Sequence, residues 1–461
     1  MIRLRSCEYP TAVRRIDLGD PLDGLTDVCA YRSVQLYVTL GSRLLGTVTI
    51  ANRYAPVSAA RLRDAIAEGL ARELYRPPDA SGPMAPWTAL TGELAQRLTP
   101  QKGEDAGLPS GIPVSVIVAT HDRPDDLRSC LRCLTAQLCR RPVQIIVVDN
   151  HPDSGLTQPV LDEFPGVLRV NEARQGVAFA RNAALAEATG QIIVTTDDDV
   201  TMPRDWLEKL VAPFARKDIA AVTGNILPLE LETRAQCLFE AYGGLGRGFR
   251  RREVDPHWFR SYHRRPVPTW QLGGTANAAF RADIFSHPAI GLMDEALGPG
   301  MPSGVGEDTY LFYRIIKAGY TLLYEPDAYV WHRHRRDMSS LRGQIYNYSK
   351  GHIAYHLTTL IKDRDWRALV RVLIPVSRSH LWRIKRRLRG RSAYPVSLVL
   401  LEWWGNLVGP FALWRSWRRV RREGRSTNHI AAAGRGAIDA PGALDEASGT
   451  FGGPCGLDRG P

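Results

Sequence analysis

Between residues 114 and 196 the chain repeats one short pattern: an apolar, β-branched run, a polar turn, a helical stretch, then another apolar run. The runs are Val114–Thr120, 143–148, Leu168–Asn171 and 191–196, and helical spacing occupies 125–138 and 176–188. Strands that alternate with helices over short connections pair in parallel, because each return needs a crossover, and the helices then cover both faces. A strand covered on both faces is largely apolar, as the runs at 114–120, 143–148 and 191–196 are. The pattern predicts an α/β domain on a doubly wound, mostly parallel sheet.

Such a sheet binds ligands in the crevice outside the carboxyl ends of its strands, so chemistry belongs there. Thr120-His121-Asp122, Asp149-Asn150 and Asp197-Asp198-Asp199 close three of the strands. The Asp triplet reads either as an acidic turn capping the helix that begins near Trp206, or as oxygen ligands holding a hard cation against a diphosphate. Three polar ends along one crevice favour the second. A fourth cluster, Gly306-Glu307-Asp308, precedes a helix over 309–317, where an acidic first turn also suits the helix dipole. The turn over 120–124 has no glycine, which disfavours a dinucleotide site, and neither G-x-x-x-x-G-K-[ST] nor G-x-S-x-G closes a strand.

The net charge of +12 on 461 residues calls for an anionic partner, and much of the arginine excess lies after residue 376. Nucleic acid would suit those arginines but would leave the strand-end acids idle, so none is expected. Cys130, Cys133 and Cys139 crowd one helix without the further ligands zinc needs, which implies reduced thiols. The start of the chain lacks the apolar core of a signal peptide, giving a cytoplasmic expectation.

Residues 1–80 read as an accessory α+β module, with a hairpin over 35–50 and a helix over Ala59–Leu74. Residues 81–112, rich in Pro and Gly and containing a short helix at 87–98, read as a linker. The main domain is 113–340, 341–425 a helical, basic and Trp-rich region, and 426–461 a disordered tail. The apolar stretch 394–414 is broken by Pro395, Glu402, Asn406 and Pro410, which disfavours a membrane span. Trp403, Trp404, Trp414 and Trp417 beside Arg415, Arg418, Arg419, Arg421 and Arg422 suit peripheral contact through 383–422 with the inner face of the cytoplasmic membrane; a helical subdomain packed on the core is the other reading.

In order, Val116 to Thr120 with Arg123-Pro124, Val147 to Asn150, Gly176 to Ala180 with Arg181-Asn182, Thr196 to Asp199, Leu272-Gly273-Gly274 with Asn277 to Phe280, Gly306-Glu307-Asp308 and Val330-Trp331-His332 resemble the family 2 glycosyltransferases. These are inverting enzymes of GT-A fold that use nucleotide sugars. The resemblance covers about residues 113–336. It implies a UDP-, GDP- or TDP-sugar donor and a glycan or lipid-linked acceptor. Thr120, Asp122, Arg123, Asp149, Arg181, Asn182, Asp197 and Asp198 would hold the nucleotide sugar. Asp197, Asp199 and His332 would bind Mn2+ or Mg2+, Gly273 and Gly274 would line the acceptor side, and Asp308 with its neighbour Glu307 would be the catalytic base. By its composition, the basic, aromatic insert over 243–270 reads either as contacting an acidic acceptor or closing over the donor, or as a mobile lid without direct chemistry.

Overall fold

The computed structural model describes residues 10–74, 108–373, 375–389 and 394–427; the 87–98 helix, most of the linker and the tail from 428 lie outside them. Near the N-terminus, β1 (Thr11–Asp17), β2 (Ser33–Leu40) and β3 (Arg43–Ile50) form a three-stranded sheet under α1 (Ala59–Leu74). The expected hairpin is β2–β3; β1, which pairs parallel to β2, was not legible. Leu62 and Ile66 of α1 bury against Val34, Leu36 and Val48.

The repeated pattern forms β4 (Val114–Thr120), α2 (Pro124–Thr135), β5 (Val143–Asp149), β6 (Leu168–Asn171), α3 (Val177–Glu187) and β7 (Ile192–Asp197). These four strands pair in parallel, in the order β7-β4-β5-β6. Val116, Ile117 and Val118 are fully buried because helices cover both faces. Ala178, Ala180 and Ala184 let α3 lie close on the sheet.

After β7 strands and helices still alternate, but the strands no longer all run parallel. The two-residue β8 (Val200–Thr201), α4 (Trp206–Val211), β9 (Ile219–Pro228), α5 (Arg234–Tyr242), β10 (Arg252–Val254), α6 (Pro256–Ser261), β11 (Asn277–Arg281), α7 (Glu307–Lys317) and β12 (Thr321–His332) follow. They extend the sheet to nine strands, order β10-β12-β9-β11-β7-β4-β5-β6, with β8 on β12. Here the sheet is mixed: β11 runs antiparallel to both β7 and β9. The path from β9 back to β11 runs through α5, β10 and α6 and the irregular 243–270 insert, a connection that periodicity does not reveal.

Four helices complete the described chain: α8 (Met338–Asp363), α9 (Arg367–Leu373), α10 (Pro375–Leu388) and α11 (Val396–Glu423). Helix α11 continues through Pro410 and packs on α8 through its glycines. A Cβ on Gly405 or Gly409 would lie 2.7 Å from the Cβ of Ser349 or Ile353. Glu402, expected to interrupt an apolar segment, turns inward and takes hydrogen bonds from Arg383 (2.7 Å) and Tyr394 (3.0 Å).

Candidate active site

The acidic clusters converge on one cleft of about 1130 Å³, walled by the ends of β4 and β7, the loop before β11, the start of α7, the end of β12 and helices α8, α10 and α11. Asp197, Asp198, Asp199, Glu307, Asp308 and His332 all line it.

At the triplet, β8 pairs antiparallel with the end of β12, setting Val200 opposite His332, and the Arg333 amide donates to the Asp199 carbonyl at 3.1 Å. That clamp puts Asp199 Oδ1 3.2 Å from His332 Nε2. No hydrogen bond joins them, and Asp199 Oδ1 is buried without a hydrogen-bond partner among the described residues. The reason lies behind the imidazole. His332 Nδ1 sits 3.1 Å from His334 Nδ1, and His334 Nε2 2.8 Å from Glu240 Oε1. A carboxylate only accepts, so His334 donates from Nε2; with both imidazoles neutral its Nδ1 accepts and His332 carries its hydrogen on Nδ1, an assignment made from the network. His332 Nε2 and Asp199 Oδ1 are then two acceptors side by side. One atom from each of Asp197, Asp199 and His332 falls within 4.8 Å of the others, a donor set that can hold a metal ion. Burial keeps the His332 pKa below its ordinary value, which leaves the Nε2 lone pair available.

The helix-cap reading of the triplet does not hold, since α4 starts only at Trp206. Asp198 anchors the turn instead: it takes a 2.8 Å hydrogen bond from Thr120 and a 3.1 Å one from Arg123, which also reaches Asp199 at 2.9 Å. Burial raises the Asp198 pKa to about 7 against the pull of Arg123. Burial also pushes Asp199 upward, but positive charge nearby, from His332 when it is protonated and from Arg123 and Arg335, outweighs it and holds that carboxyl below its usual range.

Arg181, 2% exposed on α3, joins the two acidic motifs. One nitrogen donates to Asp197 Oδ1 at 2.7 Å; the other donates to Thr275 Oγ1 at 2.6 Å and to Glu307 Oε1 at 3.3 Å. Its neighbour Asn182 is spent elsewhere, holding the backbone of Met293 at 3.0 Å in both directions, and does not line the cleft.

Gly306, at φ 122°, turns the chain into α7, and Glu307 and Asp308 form that helix's first turn. Asp308 Oδ1 accepts from the Thr309 amide at 2.6 Å and hydroxyl at 3.1 Å. Its Oδ2 takes no hydrogen bond from the described residues and faces Gly274, where a Cβ would stand 3.4 Å away. Burial raises the Asp308 pKa, opposed by the Thr309 bonds, Arg181 and Arg247. Burial and the Asp308 charge raise Glu307 to about 7.

Asp122 and Asp149 stand outside the cleft lining, which Asn150 joins instead. Asp149 is fully buried, 2.8 Å from Arg169. Asp122, at φ 56°, accepts from His151 at 2.8 Å, which holds its pKa below the usual value. Gly243, Gly244, Arg247 and Trp270, the ends of the insert, line the cleft, whereas β10 ties its middle to β12. The sequence offered no signal for Glu240 or Thr275, and His334 stands in the basic run Arg333-His334-Arg335-Arg336, which does not single it out.

Residues 115–284 match the family described as Glycosyl transferase family 2, and this stretch is a glycosyltransferase domain of that family. Pre-mycofactocin glycosyltransferase of Mycobacterium tuberculosis is 31% identical over 237 residues, half of this chain and 44% of that protein. Succinoglycan biosynthesis protein ExoM of Rhizobium meliloti is 29% identical over 230 residues, 47% of this chain and 65% of that one. The chain thus spans less than two thirds of either relative. Among solved structures, the mannosyltransferase PcManGT of Pyrobaculum calidifontis in complex with GDP-Man and Mn2+ aligns over 81% of this chain and 88% of its own, with 19% identity and a TM-score of 0.41.

Proposed function

We propose that the chain is a metal-dependent, inverting glycosyltransferase that moves a sugar from a UDP-, GDP- or TDP-sugar to a hydroxyl of a glycan, lipid-linked or other glycoconjugate acceptor. The observation that carries this reading is the pairing of Arg181 with both Asp197 and Glu307, which sets the metal-type donor set and the Asp308 carboxylate at the two sides of one cleft. On this reading Asp197, Asp199 and His332 hold Mn2+ or Mg2+, and such an ion when bound neutralises charge on the departing diphosphate.

The chain's own residues supply the rest. Asp308 Oδ2, deprotonated and unbonded, takes the proton of the acceptor hydroxyl as its oxygen forms a bond to C1. The C1–diphosphate bond breaks on the opposite face, so one displacement inverts the anomeric centre without a covalent intermediate. Gly274 leaves room beside Oδ2 for that hydroxyl. Asp198, Thr120 and Arg123 hold the turn on which the diphosphate would rest, while Glu307 positions Arg181. The nucleoside is assigned to the end of the cleft lined by His121 and Asn150, next in sequence to Asp122 and Asp149. A catalytically silent nucleotide-sugar sensor would bind donor equally well but has no use for an unbonded Asp308 oxygen.

Incubation with Mn2+ and a panel of nucleotide sugars should release nucleoside diphosphate and glycosylate an acceptor. Asp308→Asn should abolish transfer while donor still raises the melting temperature as in the parent protein. Transfer at the parental rate in this variant would remove Asp308 from the mechanism; donor binding without turnover in the parent would favour the sensor.

A further inference from the structure

Helix α11 buries one face against α8 and leaves the other uncovered. Leu400, Trp403, Trp404, Leu407, Phe411 and Trp414 are each 45 to 57% exposed. At about 100° per residue they form one stripe, and Glu402, Gly405, Asn406 and Gly409 fall on the opposite side. The same arc continues into Arg415, Arg418 and Arg421, all exposed and without an ion pair among the described residues. Arg418 lies over the Trp414 ring at 4.9 Å, and Phe411 stacks on Trp414 at 5.4 Å. Leu381 and Trp382 of α10 add further exposed apolar surface. Soluble chains rarely show a contiguous apolar surface of this kind without a partner.

We propose that this face docks on an anionic lipid bilayer, the stripe entering the acyl boundary and the three arginines meeting phosphate headgroups. Charge decides between this and a second copy of the chain. The only acids in α11 are Glu402, buried against Arg383, and Glu423, paired with Arg419, so a facing copy would offer its own arginines to Arg415, Arg418 and Arg421. The length and hydropathy of α11 also suit a membrane span, but its glycine face is locked on α8, so it lies along the bilayer with one side buried in protein. The opposite faces of α10 and α11 bring His380, Arg383, Glu402 and Asn406 to the cleft, so docking holds the cleft beside the membrane.

The full chain is floated with vesicles of phosphatidylcholine alone or mixed with phosphatidylglycerol, without donor or metal, so the outcome is independent of catalysis. It should float with the anionic vesicles, with blue-shifted tryptophan emission. Trp403→Ser with Phe411→Ser should weaken binding by at least about tenfold. Arg418→Gln with Arg421→Gln should weaken it about fivefold per charge on anionic vesicles only. All four sites are exposed, and unchanged far-UV circular dichroism confirms that the variants fold. Failure of the parent to float, or equal binding by the Trp403/Phe411 variant, overturns the proposal. So does a dimer in light scattering that this variant abolishes.

Discussion

Gly274→Ala separates the proposed chemistry from the fold better than removing an acid does. Only Asp308 Oδ2 at 3.4 Å and the Ile226 Cδ1 at 3.8 Å would touch the added methyl, and the Gly274 backbone is not in the left-handed region. Both are ordinary contacts, so stability should stay within about 1 kcal/mol, aided by the lower entropy of an unfolded alanine. The methyl nevertheless occupies the space in front of the one Asp308 oxygen that carries no hydrogen bond. Displacing the acceptor oxygen by about 1 Å should cost about 10²-fold in rate. Gly273→Ala is the contrast: at φ 119° its Cβ would lie 2.7 Å from the Thr223 Cβ. Left-handed strain of about 1–2 kcal/mol and overpacking of about 1–3 kcal/mol should together destabilise by about 2–5 kcal/mol. Urea denaturation reads stability, and initial-rate transfer with saturating donor reads chemistry. A Gly274→Ala variant that is stable, binds donor and transfers at the parental rate would refute the approach of an acceptor to Asp308 from this side.

Arg181→Met should cost about 3–5 kcal/mol in urea denaturation, since it leaves Glu307 buried with its cation removed; a loss below about 1 kcal/mol would show the ion pairs to be dispensable. Glu240→Gln should weaken Mn2+ binding about 10- to 100-fold by freeing the His334–His332 tautomer, read by titration calorimetry or electron paramagnetic resonance; unchanged affinity would sink the relay. Glu307 keeps its proton to about pH 7 in the folded chain, whereas unfolded Glu loses it near 4.5. Between these values the folded state binds the extra proton, so this group's contribution to stability falls as pH rises; in metal-free protein Glu307→Gln should flatten that part of the slope. Transfer should fall as pH is lowered through the raised Asp308 pKa, and a rate that is flat on the acid side would speak against a carboxylate base.

The parts of the fold that local patterning dictates were legible. β4 and β7 are largely apolar runs because both faces are covered, and the short connections among β4, β5, β6 and β7 imply their parallel pairing, although the edge strand β6 is only partly buried. β11 was not legible as an antiparallel insertion, since five residues carry no orientation and the 243–270 insert that sets it has its own irregular path. Site residues divide in the same way. Those in strand-end clusters could be found, whereas Glu240 and Thr275 owe their places to contacts with His334 and Arg181, more than ninety residues away in each case. Asn182 shows the converse, a polar side chain in the right motif that the structure uses to hold the Met293 backbone.

The three acids of the triplet divide between two tasks. Asp197 ends β7 and Asp199 lies in the turn that leads to β8, and these two have a role apart from that of Asp198 between them. The first two meet His332 across the cleft, and the third bonds Thr120 and Arg123 at the neighbouring strand. Among the described residues, the five carboxylates Asp197, Asp198, Asp199, Glu307 and Asp308 find ion pairs only with Arg123, Arg181 and His332, while Arg247 and Arg335 line the same cleft without pairing to them. The cleft would carry an excess of negative charge if all five were ionised, and burial makes that excess costly. Protons held on Asp198 and Glu307 up to about pH 7 are how the metal-free chain relieves it. A divalent cation between Asp197 and Asp199 would relieve the same excess and lower those pKa values, so cation binding at pH 7 should release protons. The quantity released, read from calorimetry in buffers of different ionisation enthalpy, measures how closely the two acidic motifs are coupled through Arg181.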